Sequence, residues 1–109
     1  MYINSCCVLY SGNGIVIGND TLIAAGCILA PTNHEFEAKH RLIRDQGFRP
    51  SKGGIIIEND CWIGANSVLL DGAHLECGAV ISAGSIIRGR VPSHAVCASS
   101  EKNIIKYRQ

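Results

Sequence analysis

Four histidines and six cysteines are the side chains of this chain that could act as proton acceptors, nucleophiles or metal ligands near neutral pH. An imidazole, with an ordinary pKa of about 6.5, can take a proton from a hydroxyl group as that group attacks an activated carbonyl. The cysteines contain no CxxC pair, since Cys6 and Cys7 are adjacent and Cys77 and Cys97 stand alone. This spacing disfavours a zinc or disulfide site, so we expect no bound metal.

The elements that position these groups follow from a six-residue repeat. Aliphatic residues recur every sixth position at Ile57, Ile63, Leu69, Leu75, Ile81 and Ile87, and earlier at Ile17, Ile23 and Leu29. A small residue stands two positions before most of them; Cys27 and Cys61 occupy such positions, where a thiol acts as a compact apolar side chain. The repeat predicts a β-solenoid with one short strand and one corner per hexad, in which residues eighteen apart stack.

The residue just before each aliphatic position should point away from the core. Six of these residues are apolar: Leu22, Ile28, Trp62, Val68, Val80 and Ile86. Two faces of the solenoid would therefore expose apolar stripes, which usually mark a partner surface. A closed trimer, in which each subunit offers two faces to its neighbours, would bury both stripes.

The repeat is interrupted between about residues 34 and 53, where charged residues are concentrated. A loop of this length ejected from a compact solenoid is more often functional than idle. After the last coil, residues 100–108 are predicted to form a short terminal helix with Ser99 or Ser100 as N-cap and with Ile104 and Ile105 docked on the coil. We expect this helix to cover the open edge of the solenoid.

Bulk composition bounds the function. The formal charge of +1 creates no net field that would recruit nucleic acid or an acidic membrane surface. No apolar run approaches the roughly 20 residues of a membrane span, and no signal peptide begins at Met1. We therefore expect a cytoplasmic protein without a nucleic-acid partner, with all 109 residues in a single domain.

Three motifs of the repeat region are highly specific: NDCWIGAN at residues 59–66, LDG at 70–72 and AGS at 83–85. Together they resemble the hexapeptide-repeat acyltransferases, and within them the sugar O-acetyltransferases, over roughly residues 2 to 98. The resemblance implies an all-β fold, a left-handed parallel β-helix that departs from the usual right-handed crossover. It also implies a homotrimer with active sites at the subunit interfaces, and acetyl-CoA as the acyl donor.

The resemblance also implies roles for residues on the acceptor side. The catalytic histidine of the family ends a hexad where the long loop begins, and that position is His34 in this sequence. An imidazole there would act as the general base on a sugar hydroxyl, with no covalent enzyme intermediate. Asn4 matches an asparagine that holds the acceptor or the reacting centre, and Tyr2 matches an aromatic residue of the acceptor site. We expect His40 and His94 to be surface residues.

On the donor side, Ala65 and Ala83 match corner residues whose backbone groups hydrogen-bond the pantetheine arm of CoA. Trp62 matches a tryptophan at the donor cleft, although packing at a subunit interface would explain it equally well. Arg88 and Arg90 are expected to bind the nucleotide phosphates, or else to form a solvated corner.

Three functions are compatible with these patterns. The leading hypothesis is an O-acetyltransferase that moves an acetyl group from acetyl-CoA to a hydroxyl of a sugar or polysaccharide precursor. The alternative is a non-catalytic trimeric scaffold, favoured by a tail at residues 98–102 that departs from the family pattern and by the absence of an N-terminal segment found in larger relatives. A zinc-dependent carbonic anhydrase of the left-handed helix type would need three converging histidines, a requirement that the placement of His34, His40 and His74 does not favour.

Overall fold

The computed structural model, which describes all 109 residues, is a left-handed parallel β-helix, as the family resemblance implies. Its strands are β1 (Tyr2–Ile3), β2 (Val8–Leu9), β3 (Ile15–Ile17), β4 (Leu22–Ile23), β5 (Ile28–Ala30), β6 (Ile55–Ile57), β7 (Trp62–Ile63), β8 (Val68–Leu70), β9 (His74–Leu75), β10 (Val80–Ile81), β11 (Ile86–Ile87), β12 (Arg90–Val91), β13 (Ala95–Cys97) and β14 (Ile104–Tyr107). Strand and corner alternate because each hexad pairs β-branched and aliphatic residues with glycine, asparagine or aspartate. The structure has no helix that is long and apolar enough to cross a membrane.

Three sheets form the faces of the prism, and neighbouring strands within each face come from successive coils. The first face has the strand order β1-β4-β7-β10-β13-β14. The second face has the order β11-β8-β5-β2, and the third has the order β12-β9-β6-β3. All pairs are parallel except β13 with β14. The loop leaves after β5 on the second face and returns at β6 on the third, so it lies at the corner between these two faces.

Aliphatic ladders fill the inside of the prism. Ile57 pairs with Leu75, Ile63 with Ile81 and Leu69 with Ile87, which confirms the predicted stacking of residues eighteen apart. These side chains belong to one cluster of 16 buried residues that also contains Cys27, Cys61 and Cys97. The buried Ser67 and Ser85 hydroxyls both donate to the carbonyl oxygen of Ser82, so the small polar positions of the core are satisfied.

The last coil is shorter than the sequence repeat implies. Val91 pairs with Leu75 and Cys97 with Ile81, so stacked residues of this coil are sixteen positions apart. In the preceding coil, Ile81 pairs with Ile63, eighteen positions away. A strict six-residue phase would put Ser93 in the aliphatic column, whereas Val91 occupies it and is fully buried. Skipping two residues lets an apolar side chain fill the core in place of a serine.

The prediction of a terminal helix over residues 100–108 is wrong. The chain turns at Ser99–Asn103, with Ser99 in the left-handed region (φ 73°), and β14 runs antiparallel to β13. A strand wins here because it pairs with the free backbone groups of β13, whereas a helix would leave that sheet edge unpaired. The terminal segment therefore covers the edge of the solenoid, as expected, but does so as a strand.

The apolar stripes are present on the two predicted faces. Trp62 is 53% exposed and Leu22 51% on the first face, and Ile86 is 44% and Ile28 38% exposed on the second. Val68 and Val80 are half-buried members of the same columns.

Candidate functional site

His34 lies at the base of the long loop, where the two arms of the loop come together. It forms an antiparallel bridge with Phe48, and the imidazole packs on the Phe48 ring with centroids 4.7 Å apart. On either side of this bridge, the amide of Glu35 donates to Gly47 and the amide of Arg49 donates to Asn33, at 2.9 and 2.8 Å. The loop is therefore a small hairpin arm that fixes the histidine at its root.

The imidazole of His34 lines two clefts. The main cleft has a volume of about 600 Å³ and is lined by Asn33, His34, Phe36, Arg49, Lys52, Leu70, Asp71 and Arg88. The side cleft, of about 430 Å³, is lined by Tyr10, Ser11, Gly12, Ala30, Thr32, His34 and Phe48. Open volume therefore borders this residue on two sides.

Asp71 closes the loop against the body of the coil. Its carboxylate is 3% exposed and accepts hydrogen bonds from the amides of Lys52 (2.8 Å) and Gly54 (2.9 Å). Gly54 has a φ of +77°, and an added Cβ would lie 2.4 Å from the carbonyl oxygen of Asn13, so this position requires glycine. The returning end of the loop is thus held by a buried charge and a tight backbone contact.

The main cleft contains three cations and one carboxylate. Arg49 is engaged within the loop, where its guanidinium stacks 4.3 Å from the Phe36 ring and binds Glu37 at 3.1 Å. By contrast, the side chains of Lys52 and Arg88 make no hydrogen bond or ion pair within the chain. The cleft therefore has a positive electrostatic character that the chain itself does not neutralise.

The predicted donor residues lie elsewhere on the prism. Trp62 borders a groove of about 450 Å³ on the first face, together with Leu22, Val80 and Lys106. Ala65 and Ala83 stack at the corner between the first and second faces, where the amide of Gly84 donates to Ala65. The backbones approach so closely that a Cβ on Gly64 would lie 2.5 Å from the amide nitrogen of Ala83. Glycine is thus required at position 64, whereas Ala65 is half-buried and Ala83 is exposed.

The remaining predicted residues are also separated from His34. Tyr2 pairs with Leu22 on the first face, in the column of Trp62, and Asn4 donates weakly to the carbonyl of Ile23 at 3.4 Å. Arg90 lies on the third face and is paired with Glu76. Of the predicted site residues, a single chain therefore brings only Arg88 into a cleft with His34.

The buried thiols are poor nucleophiles. Burial raises the pKa of Cys61 and of Cys97 to about 11, and it also raises the pKa of Cys27. A thiol with such a pKa is almost entirely protonated at neutral pH.

On the third face, a hydrogen bond from His74 (2.5 Å) and a second from Cys77 lower the pKa of Glu58. No group of three histidine, cysteine, aspartate or glutamate side chains in the structure could hold a metal ion.

Several cleft residues were not singled out from the sequence. Asn33, Thr32 and Tyr10 carry no repeat signal, because each lies outside the aliphatic columns. Phe36 and Phe48 do carry one: they are the only phenylalanines in the chain, and both fall within a charged, ejected loop. Phe48 packs on the His34 imidazole and Phe36 on the Arg49 guanidinium, so both rings help to shape the root of the loop.

Comparisons with known proteins agree with this architecture. Residues 54–88 match a family model described as the hexapeptide repeat of succinyl-transferase. A curated 2,3,4,5-tetrahydropyridine-2,6-dicarboxylate N-acetyltransferase of Staphylococcus aureus is 44% identical over 57 residues, which is 52% of this chain and 24% of the relative. The chain thus spans about a quarter of the length of the curated relatives it matches.

Two solved structures superpose over nearly the whole chain. One is a hexapeptide-repeat-containing acetyltransferase of Vibrio cholerae in complex with acetyl coenzyme A, with a TM-score of 0.82 and 26% identity, covering 98% of this chain and 56% of that one. The other is a variant of AntD, an N-acyltransferase from Bacillus cereus in complex with dTDP-4-amino-4,6-dideoxyglucose and coenzyme A. Its TM-score is 0.82 at 21% identity, covering 96% of this chain and 59% of that one.

Proposed function

We propose that this chain is a hexapeptide-repeat acyltransferase that transfers an acetyl group from acetyl-CoA to a hydroxyl of a sugar or polysaccharide precursor. The observation that carries the proposal is the position of His34, whose imidazole lines two clefts at the root of the loop. A general base must lie within hydrogen-bonding reach of the proton that it removes, and the clefts beside His34 give an acceptor space to bind within that reach.

In the proposed reaction, His34 accepts the proton of the acceptor hydroxyl as the hydroxyl oxygen attacks the thioester carbonyl. The resulting tetrahedral intermediate collapses, the carbon–sulfur bond breaks, and the CoA thiolate leaves. The proton on the imidazolium then passes to the thiolate, which restores neutral His34. Phe48 holds the imidazole plane through the 4.7 Å ring contact, so the base is oriented before the acceptor arrives. No cysteine takes part, in keeping with the raised pKa values of Cys27 and Cys61.

The donor is proposed to lie along the corner of Ala65 and Ala83, with Trp62 beside it. Ala65 is half-buried and Ala83 is exposed, and their short side chains leave the outer side of this corner open to an extended pantetheine arm. The Vibrio cholerae acetyltransferase and AntD were solved with acetyl coenzyme A and coenzyme A, respectively, which supports this choice of donor. Arg90 could reach CoA phosphates only by giving up its ion pair with Glu76.

A homotrimer is part of the proposal, because the predicted site residues lie on different edges of one chain. His34 occupies the corner between the second and third faces, whereas Tyr2, Asn4 and Trp62 lie on the first. The exposed apolar stripes on the first and second faces supply the surface that neighbouring subunits would bury. Each interface would then combine His34 of one subunit with the donor corner of the next.

Transfer to an amine is a second candidate. It is favoured by the 57-residue match to the Staphylococcus aureus N-acetyltransferase and by the fold shared with AntD, which is named an N-acyltransferase. The same base could serve an amine, whose lone pair must be free of its proton to attack. Alkaline hydroxylamine cleaves the ester product of O-acetylation and leaves the amide product intact, so treatment of the product separates the two.

The test is a pair of substitutions, His34→Ala and His34→Gln, with His40→Ala as a control in the exposed part of the same loop. With acetyl-CoA and a sugar acceptor, we expect both His34 variants to lose about 10²- to 10⁴-fold in kcat, the usual contribution of a general base. Acetyl-CoA binding, followed by calorimetry, should be retained. A near-normal rate in His34→Gln would contradict the role of His34, and a wild-type chain that does not bind acetyl-CoA would favour the non-catalytic scaffold.

A further inference from the structure

We infer that the acceptor of this chain carries an anionic group, a carboxylate or a phosphate, which Lys52 and Arg88 bind in the main cleft beside His34. The inference rests on the proposed function, because it concerns the acceptor of the same transfer. The main cleft contains three cations and one carboxylate, and these charged groups differ in whether they already pair with other groups of the chain.

Two of the four charged side chains in the main cleft already serve the fold. The carboxylate of Asp71 accepts two backbone amides, and Arg49 binds Glu37, stacks on Phe36 and donates to the carbonyl of His34 at 3.3 Å. The side chains of Lys52 and Arg88 make no hydrogen bond or ion pair, although the carboxylate of Glu101 lies on the backbone amide of Arg88. Two free cations that line one cleft repel each other and favour an anion between them.

The backbones of both cations are fixed while their charged ends are free. The amide of Lys52 donates to Asp71 at 2.8 Å, and the side-chain stem of Lys52 runs beside Gly72, whose hypothetical Cβ would lie 3.3 Å from the Cβ of Lys52. The amide of Arg88 donates to the carboxylate of Glu101 at 2.8 Å. The fixed backbones keep both residues at the cleft, so binding an anion costs less entropy than it would for cations on mobile segments.

The position beside the base assigns the two cations to the acceptor. The nucleophile must lie next to His34, and the thioester must lie next to the nucleophile. The long pantetheine arm separates the thioester from the phosphates of CoA, so an extended donor would place those phosphates away from the imidazole. Cations that share a cleft with the base therefore fit a charged group on the acceptor. This assigns Arg88 to the acceptor in place of the CoA phosphates expected from the sequence.

The test compares three acceptors that differ in charge and offer only hydroxyl groups: glucose, glucose 6-phosphate and glucuronate. The variants are Lys52→Met and Arg88→Met, which remove the charge but keep the backbone hydrogen bonds, with Lys39→Met and Arg44→Met as matched controls outside both clefts. Hydrogen bonds to a charged group contribute about 1.5–3 kcal/mol, so each cleft variant should lose about 10- to 100-fold in kcat/KM toward the two anionic acceptors. We expect this loss to appear in KM and to be smaller for glucose, whereas Lys39→Met and Arg44→Met should show none for any acceptor.

The results distinguish a phosphate from a carboxylate as the bound group. They also distinguish cations that bind the acceptor from cations that bind the donor. A preference for glucose 6-phosphate over glucuronate would identify a phosphate, and the reverse a carboxylate. A rise in the KM for acetyl-CoA in Lys52→Met and Arg88→Met would place these cations on the donor and overturn the inference. Equal kcat/KM for all three acceptors would also overturn it, while leaving acetyl transfer intact.

Anion binding can be measured without any reaction. Inorganic phosphate is titrated into the protein while the imidazole resonances of His34 are followed by NMR, with His40 as an internal reference. We expect saturable shifts of the His34 signals in the wild type and in Lys39→Met, and their loss in Lys52→Met. If the signals of His34 do not move, the main cleft does not bind an anion, whether or not the chain transfers acetyl groups.

Discussion

Asp71 provides a direct test of how the loop that carries the site is held. Its carboxylate is 3% exposed and accepts the amides of Lys52 and Gly54 at 2.8 and 2.9 Å. Asp71→Asn keeps the shape of the side chain but replaces one acceptor oxygen by an NH₂ group, which would face a backbone N–H. Asp71→Ala removes both acceptors and leaves the buried amide of Gly54 without a partner.

The magnitude follows from these two bonds. A hydrogen bond to a charged group contributes about 1.5–3 kcal/mol, and an unsatisfied buried donor costs a further 1–3 kcal/mol or so. We therefore expect Asp71→Asn to lower the free energy of unfolding by about 2–3 kcal/mol and Asp71→Ala by about 3–5 kcal/mol. These are large fractions of the 5–15 kcal/mol or so that stabilises a typical domain.

The assay is urea unfolding at neutral pH, paired with limited trypsin digestion. The exposed loop holds several trypsin sites, including Lys39, Arg41 and Arg44, so release of its anchored end should speed cleavage there. Asp45→Asn, an exposed aspartate in the same loop, is the control and should change stability by less than about 0.5 kcal/mol. If Asp71→Asn matched Asp45→Asn in both midpoint and cleavage rate, the carboxylate would not be the anchor of the loop.

Two further predictions concern the core and the faces. Because the pKa values of Cys61 and Cys97 are raised to about 11 from an ordinary value of 9.0, their thiols stay protonated in the folded chain while those of the unfolded chain ionise. The unfolded state then binds fewer protons, so between pH 9 and 11 the free energy of unfolding should fall by up to about 1.4 kcal/mol per pH unit for each thiol. Cys61→Ala should have a shallower slope in chemical unfolding across that range, and an unchanged slope would argue against a protonated buried thiol. Trp62→Glu should dissociate the proposed trimer in analytical ultracentrifugation, whereas Val16→Glu on the third face should not; a trimeric Trp62→Glu would show that the first face is not an interface.

The repeat region could be predicted closely because its information is local and redundant. Every aliphatic residue of the ladders indicates the same six-residue phase. The pairing of Leu69 with Ile87 therefore follows from the sequence spacing alone. The loop was also predictable, since an interruption in a strict period can only be an insertion. Its structure was not: the bridge of His34 to Phe48 and the anchor of Asp71 depend on contacts between segments that no period connects.

The errors fall where the periodic signal ends. Ile104 and Ile105 would suit a docked helix as well as a strand, and over so few residues the pattern cannot separate the two. The structure decides for the strand because β13 offers unpaired backbone groups that an antiparallel neighbour satisfies. Similarly, Val91 enters the aliphatic column two residues early, because the core accepts a valine in preference to Ser93, and packing outweighs the count of residues per coil.

The separation of the predicted site residues has a consequence for how such a fold could evolve specificity. The donor corner of Ala65 and Ala83 is built from the backbone of the coils, which approach so closely that position 64 accepts only glycine. The loop is held only at its root, by His34 with Phe48 and by Asp71, and its tip is exposed. A different side chain at position 52 would therefore leave the stability of the coil unchanged, because only the backbone amide of Lys52 bonds Asp71. In the proposed trimer, the coil of one subunit would bind the acyl donor, and the loop of its neighbour would select the acceptor.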